Sequence, residues 1–358
     1  MQLPSGNIYF SAKVKRVKIS LLVPCYNEEK SLEASILACL NQRRKFDEII
    51  FVDDSSTDRT PQILAKYSEQ ITAKKTPKNS GNKSSAQEYG LQFVTGDVMV
   101  TTDADTLLGE TFTEEVEKSF QNPEVVAMAG RVQSIPYNWL TLCRAYEYTV
   151  GQNIHKLAQS YMNNIFVMPG AASAFRVLEF RQHITFDHDT ITEDLDFTYK
   201  LHRKRLQIVY NDKAISYTQD PANLRNYINQ MRRWFGGGWQ NLTKHYLIIP
   251  TRPLRAFELS LLYSEGIIFS VLVFLLPILN PWFGLNLFVG YFLISFIFST
   301  WAAFVEKRPM LILAPIPYTI LVYVNSFVYL EQFVKEVILR KKNLIWFKPD
   351  RLDLDDEL

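Results

Sequence analysis

From about Leu259 to Leu339 the sequence is dominated by Leu, Ile, Val, Phe and Tyr, whereas the residues before it have the mixed composition of a water-soluble protein. No other feature restricts the fold as much, because a backbone in hydrocarbon must satisfy its hydrogen bonds within its own segment, which leaves helices as the means of crossing. Leu259–Leu279 and Leu285–Val305 each reach the length of about 20 residues that a bilayer core requires, and Leu311–Leu330 is a third candidate. The first two are separated by the short aromatic link Asn280-Pro281-Trp282-Phe283-Gly284, and the last two by the charged Glu306-Lys307-Arg308-Pro309. With the front of the chain in the cytosol, the first span exits, the second returns, and Lys307 and Arg308 fall inside, as the positive-inside bias prefers. A third full span would put Arg340, Lys341 and Lys342 outside against that bias, while Pro315, Pro317 and Glu331 would suit a broken or re-entrant segment. Glu265, within the first span, is expected to face a protein or water-filled interior.

The charge balance of +2 with 21% charged residues has no basic bias of the kind a nucleic-acid partner selects. Cys25, Cys39 and Cys143 show neither disulfide nor zinc-ligand spacing and fit a reducing compartment. Met1–Phe10 lacks a basic start followed by an apolar core, so no signal peptide is expected and the front of the chain should remain in the cytosol.

Its pattern is strand, helix, strand, helix. Lys18–Pro24 is a short apolar run closed by a proline that cannot donate to a ladder. Leu32, Ile36, Leu37 and Leu40 then fall on one helical face. Glu48–Val52 is a second strand ending at Asp53-Asp54, and Pro61 suits the first turn of the helix that follows. Such units build a parallel sheet with right-handed crossovers, and ligands collect outside the carboxyl ends of its strands. Tyr26, Asn27, Asp53, Asp54, Asp103 and Asp105 all fall there. A third helix is expected from Lys83 to Leu91 after the turn Asn79–Asn82, which could face a phosphate. A helical spacing runs from Trp139 to Tyr161.

Val98–Thr101 is an apolar run that stops at Asp103 and Asp105. Residues two apart on an extended backbone share a side, so both carboxylates can reach one hard divalent cation that completes its shell with water and phosphate oxygens. An acidic turn after a strand is the structural alternative. Lys83 could offset phosphate charge or be a solvated lysine. In Ile165–Arg176 the small residues around Gly170 and Ala172 permit either a substrate or another part of the core to approach the backbone. Thr192 is placed as an N-cap, with Glu193 and Asp194 in the first turn, where the helix dipole favours acids. The same two acids could instead project into the crevice that holds Asp105. Gln230–Trp239 combines Arg232, Arg233 and Trp234 with Gly236-Gly237-Gly238, and suits either diphosphate clamping with ring stacking or a helix on a membrane surface.

Together these stretches resemble the processive-type family 2 glycosyltransferases of the cellulose, hyaluronan, chitin and poly-N-acetylglucosamine synthase group, with ceramide glucosyltransferases as near relatives. The motifs are Pro24-Cys25-Tyr26-Asn27-Glu28, Asp53 to Thr60, Asp103-Ala104-Asp105, Thr192-Glu193-Asp194, and Gln230-Met231-Arg232-Arg233-Trp234, in family order from about Val17 to Leu247. The resemblance implies an α/β GT-A fold, Rossmann-like with a mostly parallel sheet, over 17–222. An N-terminal tail (1–16) precedes it; an interfacial amphipathic segment (223–257), a transmembrane region of two to three spans (258–339) and a charged tail (340–358) follow. It also implies a nucleotide-diphosphate sugar donor, Mg²⁺ or Mn²⁺, and transfer with inversion.

Carried over residue by residue, Asp194 would be the base, with Glu193 holding the helix start or the acceptor. Asp105 would hold the metal, with Asp103 on metal or ribose. Pro24, Tyr26, Asn27, Glu28, Asp53, Asp54, Lys83, Gln230 and Arg233 would bind the donor, and Trp234, Gly170 and Ala172 the acceptor. The expected partners are the nucleotide sugar, a polysaccharide or lipid acceptor and membrane lipids. The expected function is sugar transfer to a growing polysaccharide by a multi-pass cell-membrane enzyme. Single transfer to a ceramide or polyprenyl lipid is the alternative, and a non-catalytic membrane scaffold the reading from another class. The lysine motif is stretched to Asn79-Ser80-Gly81-Asn82-Lys83, and the three glycines after Trp234 exceed what the motif usually carries.

Overall fold

The computed structural model describes residues 16–246 and 253–344. The expected tails therefore lie mostly outside the described residues, as does 247–252 of the expected interfacial segment.

In chain order the front elements are β1 (Ile19–Cys25), α1 (Leu32–Leu40), β2 (Glu48–Asp53), α2 (Thr60–Lys66), β3 (Thr72–Lys75), α3 (Lys83–Leu91), β4 (Val98–Thr101), β5 (Thr106–Leu108), α4 (Phe112–Ser119) and β6 (Val125–Ser134). There follow α5 (Trp139–Val150), a π-helical turn (Gly151–Lys156), α6 (Leu157–Tyr161), β7 (Ser173–Arg176), α7 (Val177–His183), α8 (Glu193–Arg203), β8 (Gln207–Thr218) and α9 (Leu224–Lys244).

The sheet order is β3-β2-β1-β4-β7-β6-β8-β5. Its first half is the parallel βαβ array that the pattern predicts, with β1 between β2 and β4 and Cys25 opposite Asp53. Every residue of β1 is buried, as a parallel strand covered on both faces requires. The second half is mixed. β7 enters antiparallel between β4 and β6, and β5 returns antiparallel on β8, while β6 and β8 run parallel. One core lies beneath α1, α2 and α4, with Leu32, Ile36, Phe112 and Val116. The other, with Ala86, Phe180 and Phe197, lies beneath α3, α7 and α8.

The apolar region folds as α10 (Pro253–Leu279), α11 (Pro281–Val305), a 3₁₀ turn (Pro309–Leu313) and α12 (Pro315–Phe333). Phe257–Leu279 and Pro281–Val305 are long and apolar enough to cross a membrane. They form a hairpin whose far end, at Ile278, Leu279 and Trp282, is strongly exposed. Its return end docks on the sheet domain: Glu306 pairs with Arg131, accepts from Gln133 at 2.9 Å and from Asn153 at 3.2 Å, and Arg308 donates to the Ser134 carbonyl at 3.4 Å.

The third apolar stretch does not repeat the first two. α12 lies along α9, joined by Tyr227 to Asn325 at 2.8 Å and Arg232 to Glu331 at 2.8 Å. Beyond its end, Lys342 reaches the Asp189 carbonyl at 3.4 Å, so both ends of α12 return to the sheet domain. Glu265 departs from expectation: it is exposed on the outer face of α10, because Gly266, one position on, turns toward Tyr329 and takes the inward place.

Candidate active site

The strand ends and the apolar helices enclose one cavity of about 890 Å³. Pro24, Tyr26, Glu28, Asp54, Lys83, Asp103, Asp105, Gly170, Glu193, Asp194, Gln230, Arg233 and Trp234 all line it. Segments separated by more than 200 residues of sequence are thus brought to one space.

At the strand ends the loops brace one another. Asn27, with φ of 55°, accepts from the Thr57 N–H at 2.8 Å, and Asp53 accepts from Ser56 N–H at 2.9 Å. Neither lines the cavity; each fixes a loop that does. Asp54 accepts from Thr76 Oγ1 at 2.7 Å and from Ser80 Oγ at 2.8 Å, tying the Asn79–Asn82 turn to β2. That turn ends in a side-chain cap: Asn82 accepts from Ser85 N–H at 2.8 Å and starts α3.

Lys83, the first residue of α3, is therefore aimed across the cavity. Its Nζ pairs with Asp103 and lies 3.3 Å from Glu193 Oε1. Burial pulls the ammonium toward neutrality, but Asp103, Glu193 and Asp194 outweigh it and hold the pKa above the ordinary lysine value. Gly170 sits against the same group, for a Cβ there would stand 2.7 Å from Lys83 Nζ. Only glycine lets the lysine lie in this place. Ala172 does not share that role: it is fully buried in the core and its carbonyl accepts from Gly130 N–H at 2.7 Å. Ala171, one residue earlier in the turn that leads into β7, lines the cavity instead.

Asp194, the second residue of α8, has one oxygen accepting from Leu195 N–H at 2.8 Å and the other from Gly170 N–H at 3.3 Å. Burial first, and the adjacent Glu193 second, raise its pKa to about 6 against the pull of Lys83 and the two N–H groups. That is the range in which a carboxylate can take a proton near neutral pH. Thr192 does not cap the helix through its side chain; its hydroxyl accepts from Asn241 Nδ2 at 3.0 Å instead. α8 is thereby tied to α9.

The three glycines find their reason at the same junction. A Cβ on Gly237 would collide with Thr192, one on Gly236 would lie 3.1 Å from Gln332 Oε1 of α12, and one on Gly238 3.1 Å from the Tyr263 hydroxyl of α10. Three elements press on one turn of α9. Just before it, Trp234 lines the cavity with the buried Arg144 guanidinium 4.8 Å from its ring centroid. Arg144 is held in turn by Asp220 at 3.2 Å and by Glu147.

Asp103 and Asp105 stand at the end of β4, Asp105 almost wholly buried. Among the described residues no group of three or more His, Cys, Asp or Glu side chains is arranged to hold a metal ion. Two carboxylates without a third fit a cation that keeps water and takes phosphate oxygens from its ligand. They do not fit a cation caged by protein alone.

The pattern of motifs does not disclose the wall opposite. Tyr148, Gln152 and Lys156 line the cavity from α5 and the π-helical turn, and Tyr263, Tyr291, Tyr318 and Tyr329 line it from α10, α11 and α12. A lysine in an amphipathic helical stretch gives no sequence signal of facing inward.

Residues 20–181 match Glycosyl transferase family 2. A poly-beta-1,6-N-acetyl-D-glucosamine synthase of Staphylococcus aureus is 25% identical over 272 residues, which is 72% of this chain and 63% of that protein. The Staphylococcus epidermidis synthase of the same description is 26% identical over 254 residues, 70% of this chain and 61% of that protein. The chain spans somewhat under two thirds of the length of these relatives. Among solved structures, a mannosyltransferase from Pyrobaculum calidifontis in complex with GDP-Man and Mn²⁺ superposes with a TM-score of 0.60 at 17% identity, covering 91% of this chain and 88% of that one. The sheet and its helices are a GT-A fold. More particularly, residues 20–181 of that fold are similar to family 2 glycosyl transferases, and the chain is similar in sequence to poly-beta-1,6-N-acetyl-D-glucosamine synthases.

Proposed function

We propose that this chain is a membrane-bound inverting glycosyltransferase that moves a sugar from a nucleotide-diphosphate sugar, taken here as a UDP-sugar, onto a growing polysaccharide. The observation that carries the reading is the continuity of the cavity. It joins the carboxylates at the strand ends to the space between the apolar helices, so a donor at one end and a long acceptor at the other can meet at Asp194. The similarity to poly-N-acetylglucosamine synthases supports the polymer.

In this reading Tyr26, Glu28 and Asp54 bind the nucleotide, with Asn27 and Asp53 holding the loops that shape its site. Asp103 and Asp105 would hold Mg²⁺ or Mn²⁺, which when bound supplies charge compensation for the diphosphate. Lys83 and Arg233 add positive charge to the same group, Arg233 as a planar fork suited to phosphate. Asp194 accepts the proton from the acceptor hydroxyl as that oxygen attacks the anomeric carbon and the nucleotide diphosphate leaves. Glu193 keeps Asp194 from ionising too readily, and Trp234 offers a flat apolar face to the acceptor ring. The hairpin of α10 and α11 would cross the cell membrane, with the sheet domain, Lys307 and Arg308 on the cytosolic side. The docking of Glu306 and Arg308 on that domain supports this side.

The test is transfer from a panel of radiolabelled UDP-sugars by membranes containing the protein. Label in a long, solvent-insoluble polymer is the expected result. Label that enters only organic-extractable lipid would replace the polymer with a lipid acceptor, and label in neither would remove the proposal.

A further inference from the structure

The proposed chemistry leaves the polar groups on the π-helical turn unused. Such turns are rare and concentrate at functional sites, and this one presents both Gln152 and Lys156 to the cavity that holds Asp194. Gln152 Oε1 is buried without a hydrogen-bond partner. Lys156 is only 6% exposed, and among the described residues no carboxylate lies within ion-pair distance of it; its Nζ stands 5.9 Å from the Tyr210 ring. Two further acceptors on the same cavity are also orphaned. Asp220 gives one oxygen to Arg144 and leaves Oδ2 without a partner, and Gln230 Oε1 has none.

A buried polar atom left unpaired costs roughly 1–3 kcal/mol. Three such acceptors and one ammonium around a single space describe the ligand that would relieve them: it must donate several hydrogen bonds and accept at least one. Hydroxyl groups on a ring do both, whereas an alkyl chain does neither. We propose that Gln152, Lys156 and Asp220, joined by Gln230, which the motif would put on the donor, form a carbohydrate-reading wall that holds the acceptor sugar against Asp194, so that the acceptor is recognised as a saccharide. Burial lowers the Lys156 pKa to about 8, with Asp194 opposing the shift only in part, as befits an ammonium lacking an oxygen partner.

The inference rests on the glycosyl transfer proposed above, and the experiment separates the two. Full-length protein in detergent is assayed for transfer to a β-1,6-linked N-acetylglucosamine trisaccharide, with dodecyl phosphate as a competing lipid phosphate and UDP affinity measured by calorimetry. Gln152→Leu and Lys156→Met should each raise the trisaccharide KM about tenfold while UDP affinity stays within about twofold, since one lost hydrogen bond of ~1.4 kcal/mol is a factor of ten. Lys156→Arg and Gln152→Asn, which keep polarity, should fall between wild type and those variants, and they replace them if either fails to fold. A wild-type trisaccharide KM in the substituted proteins would overturn the wall. So would a Lys156→Met protein in which only inhibition by dodecyl phosphate is weakened. Wild-type protein that does not bind UDP would remove the wall and the transferase mechanism together.

Discussion

The two ends of the cavity are built on opposite principles. At the strand ends charged groups are engaged from within: Asp103 and Glu193 close on Lys83, and Asp54 accepts from Thr76 and Ser80. Toward the helices, Gln152 Oε1, Asp220 Oδ2 and Gln230 Oε1 have no such partners. On the function proposed, the first end would take a charged ligand that exchanges with internal ion pairs, and the second a neutral one that completes hydrogen bonds. Asp194 stands between them, its carboxylate held by backbone N–H groups on one side and Lys83 nearby.

The largest test of that contrast is Asp105→Ala. Removal of one of two carboxylates should abolish metal-dependent transfer, and EDTA should silence the wild-type protein; turnover that survives EDTA would show that the strand-end charges act without a cation. Asp194→Asn comes next. It keeps size and much of the helix start, so UDP affinity should persist while turnover falls about 10²-fold or more, the usual worth of a general base. A loss of only about 0.3–1 kcal/mol of stability, with normal rates, would make Asp194 a helix-dipole partner, and Glu193 would be tested in its place.

A smaller effect concerns pH. The base must be ionised to act, so a carboxyl raised to about 6 supports full turnover above that value. Below it the rate should drop about tenfold per unit as the single proton is added. An acid limb near 4 in the wild-type profile would place the base at a carboxylate less buried than Asp194.

The smallest effect is expected from Gly237→Ala. Helix propensity favours the change by about 1 kcal/mol, but overpacking against a β-branched Thr192 that Asn241 holds in place costs about 1–3 kcal/mol. The balance should lower stability by up to about 2 kcal/mol, read as a depressed thermal midpoint. A stabilised variant would show that the α8–α9 contact yields, and that the position of Asp194 does not depend on it.

Much of the strand-end half was legible in the sequence. Apolar runs that stop at acids revealed β2 and β4, a run closed by Pro24 revealed β1, and Asn82 with Lys83 marked the start of α3 to the residue. These are local signals. The antiparallel insertion of β7 and the return of β5 onto β8 were not legible, since they depend on pairings between distant segments. Ala172 and Ala171 are indistinguishable until the turn before β7 is placed. α12 was apolar enough to pass for a span, and only its packing along α9, through Asn325 and Glu331, distinguishes it from the hairpin. Glu265 drew attention as a costly charge, yet it faces outward. Lys156 drew none and faces the cavity.

The turn of α9 at Gly236-Gly237-Gly238 has one more consequence. Each glycine weakens an isolated helix by about 1 kcal/mol, so this turn depends on the neighbours that crowd it: α8, α10 and α12. Without α10 and α12, α9 would lack two of those three supports and keep only the contact with Thr192 of α8. The packing of this turn is thereby complete only once α10 and α12 have docked against it.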